Sequence, residues 1–327
     1  MMVDLLNKNV LMFAPKFFNY ENIIKEEIER QGAIVHLYDE RNNPTTLDKI
    51  FIRKFSFLMK KKINNFYKNV VKQECDFNPD VVFFVSPETV TVDSIKLLKQ
   101  TFHNARFILY MYDSIENKNS KNIYRYFDKC LSFDSSDCKK YGFQFRPLFF
   151  NDSYKKQSCE KYSYDLGFIG TIHSDRAKIL YKLAKQCEEQ DIRYYYYLYV
   201  PGKLMLMIRR IFDTNVRHLS KYIYTVPLNK EKASEILADT NYIIDINHPK
   251  QVGLTMRTIE MLGLERKIIT TNAYIKDYDF YDSQNQIYVD RKNVNINKAQ
   301  FIYTYNTVSP DVYNKYTIEY WTNEIFD

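Results

Sequence analysis

Short apolar runs separated by amphipathic stretches recur along the chain. In the first half these runs predict six strands: Val10–Ala14, Ala33–Tyr38, Val81–Val85, Phe107–Tyr112, Cys130–Phe133 and Phe145–Phe150. Between them, Glu21–Gln31 and Thr91–Gln100 repeat apolar residues with the period of a helix. Runs without polar residues, such as VVFFV at 81–85, are typical of strands buried on both faces of a parallel sheet. Strands that alternate with helices predict βαβ units.

The same alternation restarts after a polar, lysine-rich stretch at residues 151–162, which we interpret as a linker. The predicted strands of the second half are Asp165–Ile169, Arg193–Tyr199, Tyr242–Ile246, Ile268–Thr271 and Ile287–Val289. The predicted helices are Arg176–Gln190, Lys230–Leu237, Thr255–Leu264 and Asp311–Phe326. A chain of 327 residues also exceeds the usual size of one hydrophobic core. The sequence therefore predicts two doubly wound α/β domains, with ligands at the carboxyl ends of the strands and a cleft between the domains.

Cysteine usage and charge narrow the class of protein. The five cysteines are scattered and form no CxxC pair: Cys75, Cys130, Cys138, Cys159 and Cys187. This pattern indicates neither a zinc knuckle nor a redox dithiol, and it is typical of a reducing cytosol, so we expect a cytoplasmic protein. No apolar stretch approaches the ~20 residues that span a bilayer. The net charge of +7 suits acidic partners, namely a nucleotide diphosphate, an anionic membrane surface or a nucleic acid, without choosing among them.

The stretch Tyr242–Asn272 carries the strongest chemical signal. A strand enters a polar loop that contains Gly253, and Thr255 is placed to cap the helix that follows. A helix N-terminus offers backbone N–H groups and a positive dipole end to an anion. Arg257, in the first turn, can meet a diphosphate, and Glu260 can grip the diol of a sugar. The alternative interpretation is an ordinary strand–loop–helix unit in which Arg257 and Glu260 form a surface pair.

Two further strand ends hold candidate residues. Gly170 and Thr171 follow the first strand of the second half, and any βα turn could contain such a glycine. Asp113 follows the buried strand of the first half, FILYMY. It is a candidate base for an acceptor hydroxyl, although a helix-capping aspartate fits the same position. His173 and His248 are candidate pocket residues or bystanders, and the five histidines show no metal-ligand spacing.

These segments together resemble GT-B glycosyltransferases, in particular the group-1 type found in lipopolysaccharide and capsule gene clusters. The resemblance rests on Gly253 through Glu260, then Leu262-Gly263, and then the apolar strand ending in Thr270-Thr271-Asn272. A second match runs from Tyr164 to Thr171 and continues to His173 and Arg176. Glu260 matches the family glutamate that holds the nucleotide ribose. A second glutamate of the retaining branch falls on Val252, with Gln251 beside it, so the sequence leaves the stereochemistry open.

The resemblance implies a GT-B fold: an N-terminal acceptor domain over residues 1–155, a C-terminal nucleotide-sugar domain over 156–305, and a helix over 306–327 that packs back on the first domain. It implies a donor site, and Asp113 would be the catalytic base. From their position in the chain, Lys203 and Arg209 are added as possible phosphate contacts. The implied donor-site residues are Gly170, Thr171, His173, Arg176, Gln251, Gly253, Leu254, Thr255, Arg257, Thr258 and Glu260.

The expected reaction moves a sugar from a nucleotide diphosphate, with uridine as the expected base, to a saccharide or lipid-linked glycan in surface-polysaccharide synthesis. The donor is a co-substrate, and no cofactor or metal is expected, because Arg257, backbone amides and the helix dipole can neutralise the leaving diphosphate. Asp277-Tyr278-Asp279 spells the metal-binding DxD of the other large glycosyltransferase fold, but its late position indicates a loop.

Two stretches, Phe51–Lys68 and Lys203–Phe212, mix basic with large apolar residues. Each fits either a peripheral segment on an anionic membrane surface or a buried helix with a basic, solvated edge. Two other functions stay open at this point. One is a nucleotide-sugar epimerase on the same fold, and the other is a basic nucleic-acid-binding protein in which some of the 29 tyrosines stack on bases. No recognisable nucleic-acid motif supports the latter.

Overall fold

The computed structural model describes residues 5–41, 56–115, 119–156, 162–249 and 251–327. The chain divides into two compact units. Unit 1 comprises Met1–Leu148 and Ile318–Asp327, and unit 2 comprises Phe149–Thr317. The beginning of the stretch Phe51–Lys68 and the end of the proposed linker lie outside the described residues. Within the described ranges no helix combines the length and the apolar character that crossing a membrane requires.

Unit 1 is built on one parallel sheet of six strands. The strands are β1 Asn9–Phe13, β2 Ile34–Tyr38, β3 Val81–Val85, β4 Arg106–Met111, β5 Lys129–Ser132 and β6 Gln144–Phe145. Their order is β2-β1-β3-β4-β5-β6. The chain adds strands on one side of β1 and then, from β3 onward, on the other side, so the strand order reverses between β1 and β3. The central strands β3 and β4 are almost wholly buried, as their unbroken apolar sequences require.

In the described part of unit 1, four helices lie between the strands: α1 Tyr20–Arg30, α2 Ser56–Gln73, α3 Val92–Thr101 and α4 Ser135–Tyr141. In α2 the buried residues Ile63, Tyr67 and Val70 recur at helical spacing, while the neighbouring lysines are exposed. The described part of the stretch Phe51–Lys68 is therefore a core-facing helix with a basic edge, one of its two predicted forms. Thr91 caps α3 by accepting a hydrogen bond from the Ser94 N–H at 3.1 Å.

Unit 2 contains a second parallel sheet of six strands. They are β7 Tyr164–Thr171, β8 Tyr194–Tyr199, β9 Ile223–Tyr224, β10 Thr240–Asp245, β11 Lys267–Thr270 and β12 Gln286–Tyr288. The order β12-β11-β10-β7-β8-β9 places the reversal between β7 and β10. The Thr240 side chain of β10 lies directly against Gly167 of β7, where an added Cβ atom would be only 2.9 Å from Cγ2 of Thr240. The two parallel sheets confirm the predicted α/β fold class.

The helices of unit 2 are α5 Arg176–Glu189, α6 Lys203–Phe212, α7 Thr214–His218, α8 Lys230–Ala238, α9 Met256–Gly263 and α10 Pro310–Lys315. One core lies between α5 and a sheet face and includes Leu180, Leu183, Tyr196 and Leu198. A smaller core on α9 includes Met261 and Ile268. Helix α6 contributes only Leu206 to the buried residues.

The C-terminal helix α11, Ile318–Phe326, packs on the sheet of unit 1. Trp321 is fully buried and meets the Tyr110 ring edge-on, with 4.8 Å between ring centroids. Arg106 donates to the carbonyl of Phe326 at 2.9 Å, and Lys129 donates to that of Glu324 at 2.7 Å. These cations satisfy the carbonyls left open at the end of the helix. The predicted return of the C-terminal helix to the first domain is thus confirmed.

Most predicted elements shift by one or two residues, and three differ in ways that have a clear structural cause. The predicted strand Phe145–Phe150 shortens to Gln144–Phe145. Strand β7 runs on through Gly170 and Thr171, because these residues pair with Leu198 and Tyr199 of β8. The predicted helix Asp311–Phe326 is two helices. They are separated because the Tyr316 carbonyl accepts from the Phe150 N–H at 2.9 Å instead of continuing the helix.

Truncating Ile325 tests the contribution of α11 to unit 1. Its side chain is fully buried, so Ile325→Ala is expected to lower the free energy of unfolding by about 2–5 kcal/mol and Ile325→Val by about 0.5–1.5 kcal/mol. Urea unfolding followed by fluorescence reports on unit 1, because Trp321 is the one tryptophan of the sequence. A cost near zero for Ile325→Ala would show that α11 is not part of this core.

Candidate functional site

The site residues of unit 2 converge where β7 and β10 end side by side. In a doubly wound sheet this reversal point opens a crevice beyond the carboxyl ends of the strands, where ligands bind. Strand β7 ends at Thr171, and β10 ends at Asp245. The loop after β10 leads into α9, which begins at Met256. The topology therefore brings the two motifs, which lie far apart in sequence, to one edge of the sheet.

Asp245 organises this edge. Its carboxylate is 4% exposed and accepts hydrogen bonds from three threonine hydroxyls: Thr255 at 2.8 Å, and Thr258 and Thr270 at 3.2 Å each. Thr255 also caps α9 by accepting from the Thr258 N–H. A buried carboxylate is costly unless such donors surround it. The network therefore fixes the first turn of α9 against the ends of β10 and β11.

Two buried asparagines hold the loop between β10 and α9. Asn247 donates to the Gln251 carbonyl at 3.0 Å, and Asn272 donates to the carbonyls of Val252 and Gly253 at 3.1 and 3.3 Å. The Gln251 side-chain amide donates a hydrogen bond to the Gly253 carbonyl at 2.9 Å. Leu254, in the same loop, is buried. The backbone leading into α9 is thus preorganised by the protein itself.

Arg257 and Glu260 lie on the first turns of α9. The Arg257 Nε lies 3.6 Å from Oε2 of Glu260, and the Glu260 side chain is only 5% exposed. Tyr154 donates a hydrogen bond to Glu260, and burial beside that carboxylate raises the pKa of Tyr154. The interpretation of Arg257 and Glu260 as a plain surface pair is wrong, because both groups are largely enclosed.

The Arg257 guanidinium is under-bonded. Its Nε and Nη1 atoms are buried, and neither has a hydrogen-bond partner in the part of the chain that the structure describes. The Glu260 carboxylate balances the charge from 3.6 Å, but a buried donor that lacks a hydrogen-bond acceptor costs free energy that a bound anion would recover. Arg257 is therefore the side chain at this edge that is best prepared for an acidic ligand.

Arg176 already has partners within the protein. Its guanidinium donates to the Ile246 carbonyl at 2.6 and 2.9 Å and to the Thr171 carbonyl at 3.1 Å. It therefore ties the end of β7 to the residue after β10. Burial lowers the pKa of Arg176 to about 10; Asp245 opposes this shift, and Arg257 and Arg291 add to it. Arg176 thus positions the site and adds to its positive potential.

His173 lies in the turn after β7 among several cations. Burial lowers its pKa to about 4, and the charges of Arg176, His248 and Arg209 act in the same direction. The imidazole is consequently neutral at pH 7. Arg209, one of the two possible phosphate contacts, thus belongs electrostatically to the cluster although it lies on α6. Lys203 lies at the exposed start of the same helix.

Asp245, Asn247 and Arg291 were not among the predicted site residues, and Asn272 was named only as the end of an apolar strand. Arg291 donates to Asp175 and to Oδ1 of Asn247, each at 2.7 Å, and so links the turn after β7 to the loop after β10. A signal for Asp245 was available, because an aspartate within the apolar run YIIDI must find hydrogen-bond donors when it is buried. No sequence signal marked Arg291, which follows the short strand β12.

In unit 1, Asp113 lies two residues beyond the end of β4. Its Oδ1 accepts from the Ser114 N–H at 2.9 Å. Nearby, Asp137 accepts from the Ile115 N–H at 2.7 Å, so two carboxylates hold this turn. A cavity of about 480 Å³ opens at the carboxyl ends of β1 and β2. It is lined by Ala14, Lys16, Glu21, Asn22, Leu37, Tyr38, Asp39 and Phe66.

The Asp277-Tyr278-Asp279 segment is tied to the C-terminal part of unit 2. Asp279 accepts from the Tyr316 hydroxyl at 2.6 Å and from Lys315 at 3.0 Å. Within the described residues, no group of three or more histidine, cysteine, aspartate or glutamate side chains is arranged to hold a metal ion. The Asp279 carboxylate serves the packing of α10.

Comparisons with known proteins identify the fold. No protein-family model matches the sequence, and no curated protein matches it either. Among solved structures, the chain is similar to a glycosyltransferase from Rickettsia africae ESF-5, with a TM-score of 0.58 and 11% identity over 98% of this chain and 93% of that one.

It is also similar to the lipopolysaccharide outer core galactosyltransferase WaaB in its apo form, with a TM-score of 0.53 and 11% identity over 97% of this chain and 98% of that one. A third similar structure is a putative UDP-N-acetylglucosamine 2-epimerase from Listeria monocytogenes, with a TM-score of 0.52 and 10% identity over 97% and 95% of the two chains. The chain has the GT-B fold, as the sequence resemblance led us to expect.

The titration of His173 tests the cationic cluster. Because its folded-state pKa lies near 4, below the ordinary 6.5, the unfolded chain takes up this proton more readily. The imidazole is therefore expected to make stability fall as the pH is lowered from about 6.5 towards 4. NMR of the imidazole should give a midpoint near 4 in the wild type.

Arg209→Gln removes one of the cations that act on His173 and should move the midpoint upward. Arg193→Gln is the matched control, because Arg193 pairs with Asp165 at 2.8 Å elsewhere in unit 2. A midpoint near the ordinary 6.5 in the wild type would contradict the described surroundings of His173.

Proposed function

We propose that this GT-B protein is a glycosyltransferase that moves a sugar from a nucleotide diphosphate, with uridine as the base, to a saccharide or lipid-linked acceptor. The proposal extends to hexosyl transfer in surface-polysaccharide synthesis, either of lipopolysaccharide or of capsule, and to a cytoplasmic location. The observation that carries it is the buried Arg257 guanidinium on the first turn of α9, two of whose nitrogens have no hydrogen-bond partner among the described residues.

The chemistry of a diphosphate fits this edge of the sheet. Arg257 would donate to its oxygens, and the N-terminus of α9 would add its dipole and backbone N–H groups. The positive potential of Arg176 and Arg209 would favour the same anion. In the reaction, negative charge grows on the diphosphate as the sugar leaves. Preorganised donors stabilise that charge without reorganisation, and we propose that they do so without a metal ion.

Glu260 would hold the ribose of the donor. Its carboxylate is buried, Tyr154 donates a hydrogen bond to it, and the Arg257 guanidinium lies 3.6 Å away. A carboxylate held in this way can accept from both hydroxyls of a diol, which a flexible surface glutamate could not do without a larger loss of entropy. Gly170 and Thr171, at the end of β7, and Gln251, Gly253 and Leu254, in the preorganised loop, would complete the donor site.

In unit 1, Asp113 would accept the proton of the acceptor hydroxyl. It follows a buried strand at the carboxyl edge of the sheet, and the Ser114 N–H steadies one of its oxygens. The cavity at the ends of β1 and β2 would receive part of the acceptor. Its lining combines carboxylates and an amide with tyrosine and phenylalanine rings, a mixture that suits saccharide hydroxyls and C–H faces.

Replacing Arg257 tests the donor site. Arg257→Gln is expected to weaken UDP binding roughly tenfold to hundredfold, since a hydrogen bond to a charged group contributes about 1.5–3 kcal/mol. Isothermal titration with UDP, GDP, CDP and TDP would measure the dissociation constants and identify the base. The matched control is Arg193→Gln, which should bind like the wild type because Arg193 pairs with Asp165.

Equal UDP affinity in the wild type and Arg257→Gln would remove Arg257 from the site. Absence of binding to every nucleotide, with or without a divalent cation, would remove the proposed function. Selective binding to single-stranded nucleic acid would then favour the nucleic-acid alternative.

Replacing Asp113 separates transfer from donor binding. Asp113→Asn keeps the size of the side chain but removes its basicity, so transfer to an acceptor is expected to fall by about 10²–10⁴-fold while the dissociation constant of UDP stays unchanged. The measurement is UDP release from UDP-sugars with and without added saccharide acceptors.

An epimerase would behave differently, because it would convert the donor without any acceptor. Wild-type rates in Asp113→Asn would show that this carboxylate only caps its own turn.

A further inference from the structure

Helix α6, Lys203–Phe212, presents its apolar side to solvent. Leu204, Met207, Ile208, Ile211 and Phe212 share one face of the helix, at spacings of three and four residues. Their exposed fractions are 69%, 56%, 43%, 60% and 84%, and Met205 beside them is 45% exposed. We call these six residues the apolar stripe. Single exposed apolar residues are common, but a contiguous stripe of six marks an interaction site.

The helix is attached to unit 2 by its other side. Leu206 is the one buried residue of α6, and it joins the core that contains Leu198 and Val216. Arg209, on the same side, contributes to the low pKa of His173. The sequence alternative of a buried helix with a basic edge is therefore wrong for Lys203–Phe212. The anchored side of the helix is the narrow one, and the broad apolar side is uncovered.

Basic side chains border the apolar stripe. Between residues 200 and 229 the sequence has five lysines and arginines and one acidic residue, Asp213. That aspartate is engaged at the start of α7, where it accepts from the Asn215 N–H at 2.9 Å. Lys203, Arg210, Arg217 and Lys221 are all exposed. The segment that contains the stripe thus carries a clear excess of exposed basic side chains.

The positive charge beside the apolar stripe distinguishes between two partners that could cover it, a second copy of the chain and an anionic bilayer. In a symmetric contact between two copies of the chain, each stripe would meet the other, and the bordering cations would repel across the interface. An anionic bilayer offers the complementary charge together with an apolar interior. A helix that lies in the membrane interface has this composition, with large apolar residues on one side and lysine or arginine along the polar edges.

We propose that α6 docks this protein on an anionic lipid surface, with the apolar stripe inserted among the acyl chains and the bordering basic residues on the headgroups. The inference does not depend on the proposed glycosyltransferase activity, because it rests only on the exposed stripe and its charge. Its consequence for the site is direct. Arg209 belongs to the same helix, so docking would hold the cationic cluster around His173 within one short helix of the membrane surface.

Vesicle sedimentation tests the proposal with the full-length protein. The probes are phosphatidylcholine vesicles with and without phosphatidylglycerol. The wild type is expected to bind only the anionic vesicles. Met207→Gln combined with Ile211→Gln should weaken this binding on the order of tenfold or more, because both lost side chains lie in the stripe. Arg210→Gln should weaken it about fivefold, the effect of one basic residue near the surface.

Ile302→Gln is the matched control, because Ile302 is 77% exposed in unit 2 but lies outside α6. It should bind like the wild type, and circular dichroism should show that every variant is folded. Unchanged binding by the double variant, or equal binding to both kinds of vesicle, would overturn the proposal. The proposal would also be overturned if the wild type formed a dimer and bound no vesicles, while the double variant was a monomer.

A UDP titration of the double variant keeps this result separate from the proposed function. Met207 and Ile211 are not part of the donor site, so their replacement should leave the UDP dissociation constant unchanged. Lost vesicle binding with intact UDP binding would support docking by α6. Failure of UDP binding in the wild type itself would count against the proposed function and would leave the vesicle result standing.

Discussion

The candidate donor site depends on one buried carboxylate. Asp245 is the last residue of β10, a central strand of the second sheet. Its carboxylate accepts hydrogen bonds from the hydroxyls of Thr255, Thr258 and Thr270. Without these donors, burying the carboxylate would be prohibitive, and without the carboxylate the first turn of α9 would lose its attachment to the sheet. Arg257 and Glu260 project from that turn. Their placement relative to the end of β7 is therefore set by Asp245, which need not touch a ligand itself.

The cations around this carboxylate divide into two kinds. Arg176 and Arg291 have most of their donors engaged by carbonyls and side chains of the protein, and they join the turn after β7 to the loop after β10. In the part of the chain that the structure describes, Arg257 has two buried nitrogens without a hydrogen-bond partner. The first kind holds the site together, while the second is prepared for a ligand. This division explains how a crowded cationic site can stay folded before any anion arrives.

The comparisons with solved structures support the fold, but they do not identify the reaction that the protein catalyses. Proteins that share the GT-B fold at 10–11% identity include two whose names describe glycosyl transfer and one described as a putative epimerase. A fold of this kind hosts more than one activity, so the argument for transfer rests on Arg257, Glu260 and Asp113. The apolar stripe of α6 adds a surface feature that the fold alone would not predict.

The sequence by itself determined the α/β class, most of the strands and the segment that forms the loop and α9. Apolar runs and helical periods follow from burial on one or both faces of an element, which is a local property of the chain. The sequence-based predictions are wrong where contacts with distant residues set the end of an element. The Phe150 N–H interrupts the predicted C-terminal helix at Tyr316, and pairing with β8 carries β7 through Gly170 and Thr171.

Only the tertiary structure decided which polar residues share the site. Asp245, Asn247 and Arg291 lie in different segments, and the order of the strands brings them together at the reversal between β7 and β10. The orientation of α6 was undecided for the same reason. Its sequence is amphipathic in either case, and the anchoring of Leu206 to the core of unit 2 is what turns the apolar stripe outward. Periodicity gives a helix its faces, but contacts with distant residues choose the face that is buried.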